Sequence, residues 1–172
     1  GQLFLKRPVK AGDFVYVPSG TIHALNKGIV VLETQQSSDT TYRLYDYDRV
    51  DATTGQKRAL HLQQATDVTT VPFEEPHLTP VVEHRGSSTI TTLVAPPLSP
   101  YFTVYKWEVS GELSLTAQRP YTLVSVIKGQ GQLTVDGDAY PLQKGDHFLL
   151  PADVTAWTLT GELTMIASTS TV

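Results

Sequence analysis

At 172 residues, 40% of them hydrophobic, with a formal charge of −4 and no cysteine, the chain is long enough for one sizeable domain or two small ones. Without thiols it forms no disulfide, thiolate metal site or cysteine nucleophile, so any metal must be held by His, Asp, Glu or Gln, and a reducing, cytoplasmic setting is expected. The acidic balance without a Lys/Arg cluster argues against a nucleic-acid partner, and the lack of an apolar run of membrane-spanning length argues against a membrane one.

Thr, Leu and Val are the commonest residues, and with 12 Gly and 11 Pro they favour short strands joined by tight turns, hence an all-β fold. Gly1-Gln2-Leu3 does not open a signal peptide, and a start without Met is expected of a trimmed or internal piece. In chain order, residues 14–17, 29–32 and 42–45 are apolar runs bounded by Gly, Pro, Ser and Asn, and read as strands. Residues 59–65 (ALHLQQA) read as a short helix. Six prolines (Pro72, Pro76, Pro80, Pro96, Pro97, Pro100) mark residues 71–99 as a connector between two lobes, 1–70 and 100–172.

Beyond the connector, Tyr101, Thr103, Tyr105, Trp107 and Val109 alternate on one face of a half-buried strand. Residues 121–127 and 132–135 read as strands flanking a turn at Gly129-Gln130-Gly131, and Asp136-Gly137 is a hairpin signal. Residues 147–150, 157–159 and 163–167 complete the second β unit.

One pattern occurs twice. Gly12-Asp13-Phe14-Val15-Tyr16-Val17-Pro18-Ser19-Gly20-Thr21-Ile22-His23 and Gly145-Asp146-His147-Phe148-Leu149-Leu150-Pro151-Ala152-Asp153-Val154-Thr155-Ala156 both read Gly-Asp, an apolar strand, then Pro at the same offset. The first copy resembles the second conserved motif of cupins: a Gly, five residues, Pro, one residue, Gly, two residues, His. Asn26 lies one residue early for the Asn that follows in that motif. The second copy has Asp153 for the motif Gly and Ala156 for the His, and alanine cannot ligate a metal. The earlier cupin motif supplies further ligands; with Gly129 as its Gly, the matching positions lie near Thr116, Gln118 and Thr122, none an imidazole or carboxylate. The resemblance thus implies two cupin-like (jelly-roll) lobes, the first incomplete at its N-terminus and the second metal-free.

A sharper resemblance follows His23. Gly20-Thr21-Ile22-His23-Ala24, then Ser38-Asp39-Thr40-Thr41-Tyr42-Arg43, is similar to the signature of the class I, zinc-dependent mannose-6-phosphate isomerases, and Gln35-Gln36 with Tyr45-Asp46-Tyr47-Asp48-Arg49 resembles their shorter bacterial branch. The likeness is dense over residues 12–68. It implies an aldose-ketose isomerase interconverting mannose 6-phosphate and fructose 6-phosphate through an enediolate, here as an inactive C-terminal part. By the same resemblance His23 is a zinc ligand, Arg43 the active-site cation and Asp39 a proton-transfer or orienting group. One zinc ion is implied for the full-length enzyme, held weakly or not at all by this part, and a sugar phosphate is the implied substrate. The open first lobe is expected to self-associate.

Plainer readings stand beside these. Arg43 and Asp39 can form an ordinary surface ion pair, Asp46, Asp48 and Arg49 a solvated strand face, and His61, His77, His84 and His147 ordinary polar sites. The alternative function is a non-enzymatic cupin-type sugar-phosphate-binding or regulatory module; a third, a bifunctional isomerase and nucleotidyltransferase ending in a cupin, fits the two-lobe pattern less well.

Overall fold

The computed structural model describes residues 5–38, 40–117 and 120–171. Its regular elements are helix α1 (Leu62–Val68) and strands β1 (Val81–Arg85), β2 (Ser88–Val94), β3 (Phe102–Thr116), β4 (Thr122–Val135), β5 (Asp138–Gln143), β6 (His147–Leu150) and β7 (Ala156–Ser170). All seven strands form one antiparallel sheet in the order β1-β2-β3-β7-β4-β5, with β6 on the same edge of β4 as β5. The chain is therefore all-β. No helix among the described residues is long and apolar enough to cross a membrane.

The core follows from strand alternation. On β7 the side chains of Trp157, Leu159, Leu163, Met165 and Ala167 are buried, and on β3 those of Trp107, Val109 and Leu113. They form one cluster with Ile90, Val124, Val126, Leu133, Leu142 and Leu150. Fully burying a side chain of this size stabilises by about 1.5–3 kcal/mol, so this cluster dominates the energetics. On β4 the buried set changes phase, from Val124 and Val126 to Leu133, because the register against β7 shifts between Val126 and Lys128. An irregularity there moves the following side chains to the other face.

Three long strands fold over at a row of glycines: Gly111 of β3 stands opposite Gly161 of β7, and Gly161 opposite Gly131 of β4. Gly111 and Gly161 have φ of 79° and 115°, a region other residues rarely adopt. A Cβ on Gly131 would come within 2.0 Å of the Thr160 carbonyl oxygen, so the backbones approach as only glycine permits. The bend in β3 is sealed by buried Ser88, whose hydroxyl donates to the Glu112 carbonyl (3.0 Å) and accepts the Ser110 N–H (3.0 Å).

The β6 strand and the hairpin at Asp136-Gly137 match expectation, with positive φ at both turn residues; the alternation holds at Trp107 and Val109, whereas Tyr101 is exposed and precedes β3, and Val104 is buried beside Thr103. Other expectations are corrected. Gly129-Gln130-Gly131 is a bend inside β4 rather than a turn, since pairing with β7 runs through it, and residues 157–159 and 163–167 belong to one strand for the same reason. The helix lies three residues later than its predicted start and end. Strands β1 and β2 fall inside the stretch read as a connector, because no proline lies between Pro80 and Pro96, leaving a run free to pair. Residues 14–17, 29–32 and 42–45 are not strands: among the described residues no other strand lies alongside to pair with them, and the sole β-bridge between residues 5 and 60 is that of Val50 with Lys57. Their apolar side chains stay accessible, Val30 to 99%.

Candidate functional site

The repeated segments share local geometry at one constant offset. In the first, the Asp13 N–H donates to the Lys10 carbonyl (3.1 Å) and its carboxylate accepts the Lys10 N–H (3.0 Å); in the second, Asp146 does the same with Gln143 (3.1 and 2.8 Å). The preceding glycines, Gly12 and Gly145, have φ of 93° and 97°. Further on, Thr21 donates to the Pro18 carbonyl (3.2 Å) and Val154 to that of Pro151 (3.1 Å). Two residues beyond each of these donors stand His23 and Ala156.

His23 is exposed, and its Nδ1 lies 2.9 Å from the Thr21 carbonyl oxygen. A carbonyl only accepts, so Nδ1 carries a proton, and in the neutral ring the lone pair is then on Nε2. That is the arrangement in which a backbone carbonyl orients an imidazole towards a metal. The turn bearing it is packed against the end of α1: Thr70 donates to the Gly20 carbonyl (3.0 Å), and a Cβ on Gly20 would come within 2.7 Å of the Val68 carbonyl oxygen.

Arg43 is half-buried. Its N–H donates to His61 Nδ1 (3.1 Å), and its carbonyl accepts the His61 N–H (2.8 Å). Nearby, Arg58 grips Asp46 with two hydrogen bonds, one from Nε at 2.7 Å and a shorter one from the guanidinium terminus. This pairing, helped by the charges of Arg49 and Arg43, holds the Asp46 carboxyl below its ordinary value. The Thr54 and Thr53 amides, donating to its side chain, lower Asp51 likewise. Lys57 pairs with Asp48 (2.6 Å), and the Arg49 guanidinium sits 5.3 Å from the Tyr47 ring centroid. Residues 46–58 therefore form a loop closed by ion pairs rather than a solvated strand face. Sequence reasoning missed His61 and Arg58; the only signal for Arg58 was an Arg twelve residues after an acidic run.

Asp39 lies outside the described residues. No hydrogen bond, ion pair or ring contact joins His23 to Arg43, and among the described residues no three His, Asp or Glu side chains group to hold a metal. In the sheet, Thr116 pairs with Ala156 and Thr122 with Leu150; Gln118 is not described. An open groove of about 780 Å³ lies at the glycine bend, lined by Gln130, Gln132, Gln143, Asp146 and Thr160, and includes none of the predicted site residues.

Comparison with known proteins supplies what the geometry leaves open. The family model of the mannose-6-phosphate isomerase cupin domain matches residues 89–170. A mannose-6-phosphate isomerase of Streptococcus mutans is 52% identical over 169 residues, 98% of this chain and 52% of that protein. A mannose-6-phosphate isomerase of Bacillus subtilis is 47% identical over 97% of this chain and 52% of its own length. A crystal structure of the mannose 6-phosphate isomerase from Bacillus subtilis superposes with a TM-score of 0.67 and 42% identity, covering 76% of this chain and 40% of that one. The chain spans about half the length of the curated relatives it matches.

Proposed function

As the chain belongs to the mannose-6-phosphate isomerase family, we propose that its parent polypeptide is a cytoplasmic enzyme interconverting mannose 6-phosphate and fructose 6-phosphate, and that this chain supplies part of the active site. The observation that carries the reading is the 52% identity over 98% of the chain, within which His23 is held with Nε2 free.

His23 fits a zinc site as one ligand. A catalytic zinc normally takes three protein ligands, and the described residues bring no such trio together, so the others are assigned to the length of the relatives that this chain does not span. Zinc, when bound, polarises the sugar carbonyl and stabilises negative charge on oxygen. In the chain itself, His23 offers Nε2 as a neutral donor. The always-charged guanidinium of Arg43 stabilises the enediolate oxygen or holds the phosphate. Asp39 moves or orients the proton exchanged between C2 and C1. The division into lobes 1–70 and 100–172 around residues 71–99 is kept as part of this proposal, with β1 and β2 joining the second unit's sheet. The alternative, a sugar-phosphate-binding module without catalysis, draws on the second unit alone: where a cupin would hold metal, Thr116 faces Ala156 and the interior is filled by Trp107, Trp157 and Met165.

The test is a zinc titration and a coupled isomerase assay on the 172-residue chain beside a version extended to the relatives' length. Weak zinc binding and no turnover are expected of the short chain, with stoichiometric zinc and turnover in the long one. An extended protein that binds mannose 6-phosphate but does not convert it would favour the non-catalytic reading. Tight zinc and clear activity in the short chain would show that its own residues complete the site. The accessible apolar side chains of residues 5–60 support self-association of the isolated chain, read by sedimentation.

A further inference from the structure

We propose that α1 is a strut setting the distance between His23 and Arg43, and that His61 is the positioning residue fastening Arg43 to it. The inference rests on the reading of Arg43 as the active-site cation. Residues 40–45 have no strand partner among the described residues, so the Arg43 backbone is not fixed by a sheet. Instead it closes a ring of two hydrogen bonds with His61, from Arg43 N–H to His61 Nδ1 (3.1 Å) and from His61 N–H to the Arg43 carbonyl (2.8 Å). Because Nδ1 accepts, the proton of the neutral ring sits on Nε2. The Tyr42 ring lies 6.0 Å from the imidazole centroid.

His61 is also the N-cap of α1, and its carbonyl accepts the Ala65 N–H (2.9 Å). A side chain at this position ordinarily bonds an amide of its own first turn. That of His61 makes no such bond and is committed to Arg43. At the other end, just past the last turn, Thr70 donates to the Gly20 carbonyl (3.0 Å), three residues before His23. Gly20 also packs too closely on Val68 and Thr70 for any larger residue. One short helix is thereby bonded at its start to the Arg43 backbone and at its end to the turn that presents His23. Its seven residues span about 10 Å. Catalysis by a fixed cation and a fixed ligand requires that their separation hold within a fraction of an ångström, and α1 is the element that can hold it.

The experiment compares His61→Ala, His61→Asn, Arg43→Ala and the double variant His61→Ala/Arg43→Ala in an isomerase of the relatives' length carrying this sequence. His61→Ala is expected to lower kcat about 10-fold or more with zinc content unchanged. His61→Asn should restore much of it, because Oδ1 stands where Nδ1 accepted. The double variant should be no worse than Arg43→Ala alone, since both act through one group. Independently of activity, nitrogen NMR of the 172-residue chain should show the Nε2–H tautomer at His61, coupled to a shifted Arg43 amide that returns to its coil position in His61→Ala. Wild-type turnover in His61→Ala beside an inactive Arg43→Ala overturns the proposal alone, as does an Nδ1–H tautomer. Wild-type turnover in Arg43→Ala overturns the reading of Arg43 and the proposal with it.

Discussion

Around Asp13 and around Asp146 the chain makes the same pair of turns, with hydrogen bonds that agree within a few tenths of an ångström, yet only the second segment becomes a strand. The turns are local: a glycine at positive φ, a carboxylate that closes back on an amide three residues earlier, and a proline whose carbonyl accepts. Strand formation is not local, because a strand exists only where a neighbour takes its backbone groups. β6 has β4 beside it; residues 14–17 have no such neighbour among the described residues. Chemistry is more local still, for one side chain separates the copies: His23 presents a free Nε2, and Ala156 presents a methyl group.

The comparison is broken most sharply by exchanging that side chain. In the extended isomerase, His23→Ala is expected to remove zinc and turnover together, whereas Arg43→Ala should lower turnover on the order of 10²–10³-fold with zinc retained. Ala156→His should bind no zinc, since its cross-strand partner Thr116 is neither an imidazole nor a carboxylate. Zinc analysis of the three purified variants decides it: metal retained without His23, or gained at residue 156, would mean that the copies do not differ as described.

Stability should divide along the same line. Leu159 is fully buried in the sheet's core and Val30 is almost fully exposed. Leu159→Ala should cost about 2–5 kcal/mol, and Val30→Ala should stay within about 0.5 kcal/mol. Urea unfolding followed by tryptophan fluorescence reports the sheet directly, because Trp107 and Trp157 both lie in its core. Comparable losses in both variants would mean that residues 5–60 are buried against something in solution.

The turns offer a finer cut. Asp146→Ala should cost on the order of 1 kcal/mol, the usual worth of a side-chain bond to an orphan amide, because the turn it closes sits on β4, where Gly145 donates to the Val126 carbonyl and Val126 to that of Asp146. The equivalent Asp13→Ala should leave the sheet's unfolding midpoint unchanged. Equal effects would tie the first copy to the core more tightly than its contacts indicate.

What the sequence made legible follows the same division of local from non-local. The Gly-Asp turns, the Asp136-Gly137 hairpin and the inward placing of Trp107 and Val109 are written in residue types; Val104, buried beside Thr103, is not. In sequence, the bend at Gly129-Gln130-Gly131 reads as a turn because glycine marks both, and only the facing row of Gly111, Gly161 and Gly131 distinguishes a folded-over sheet from a reversal. At the proposed site, the motif points to His23 and Arg43. It does not point to His61, because the contact of His61 with Arg43 spans eighteen residues, which no spacing rule encodes.

The smallest expected effect is electrostatic, and it separates the two regions by pH. Residues 46–58 are held by charge where the sheet is held by apolar packing: Asp46 is gripped by Arg58, Asp48 pairs with Lys57, and Asp51 accepts the amides of Thr53 and Thr54. Asp46 and Asp51 both have carboxyl pKa values depressed in the folded chain, Asp46 first by the Arg58 hydrogen bond and Asp51 first by the Thr54 amide. A depressed acid contributes stability that is fully present above its unfolded value, about 3.9, and is lost as pH falls through the lower folded value. Between pH 7 and 5 the loop should therefore be insensitive to pH. Below about 3.9 it should loosen, while the core cluster, which contains no ionisable side chain, keeps the sheet closed. The contribution is modest, because these groups are partly exposed and screened. Amide hydrogen exchange at Thr53 and Thr54, followed downwards from pH 5 and corrected for intrinsic rates, should show protection falling there before it falls in β3, β4 and β7. Simultaneous loss in loop and sheet would show that the loop is part of the same cooperative unit, and that the two regions are less independent than their contacts imply.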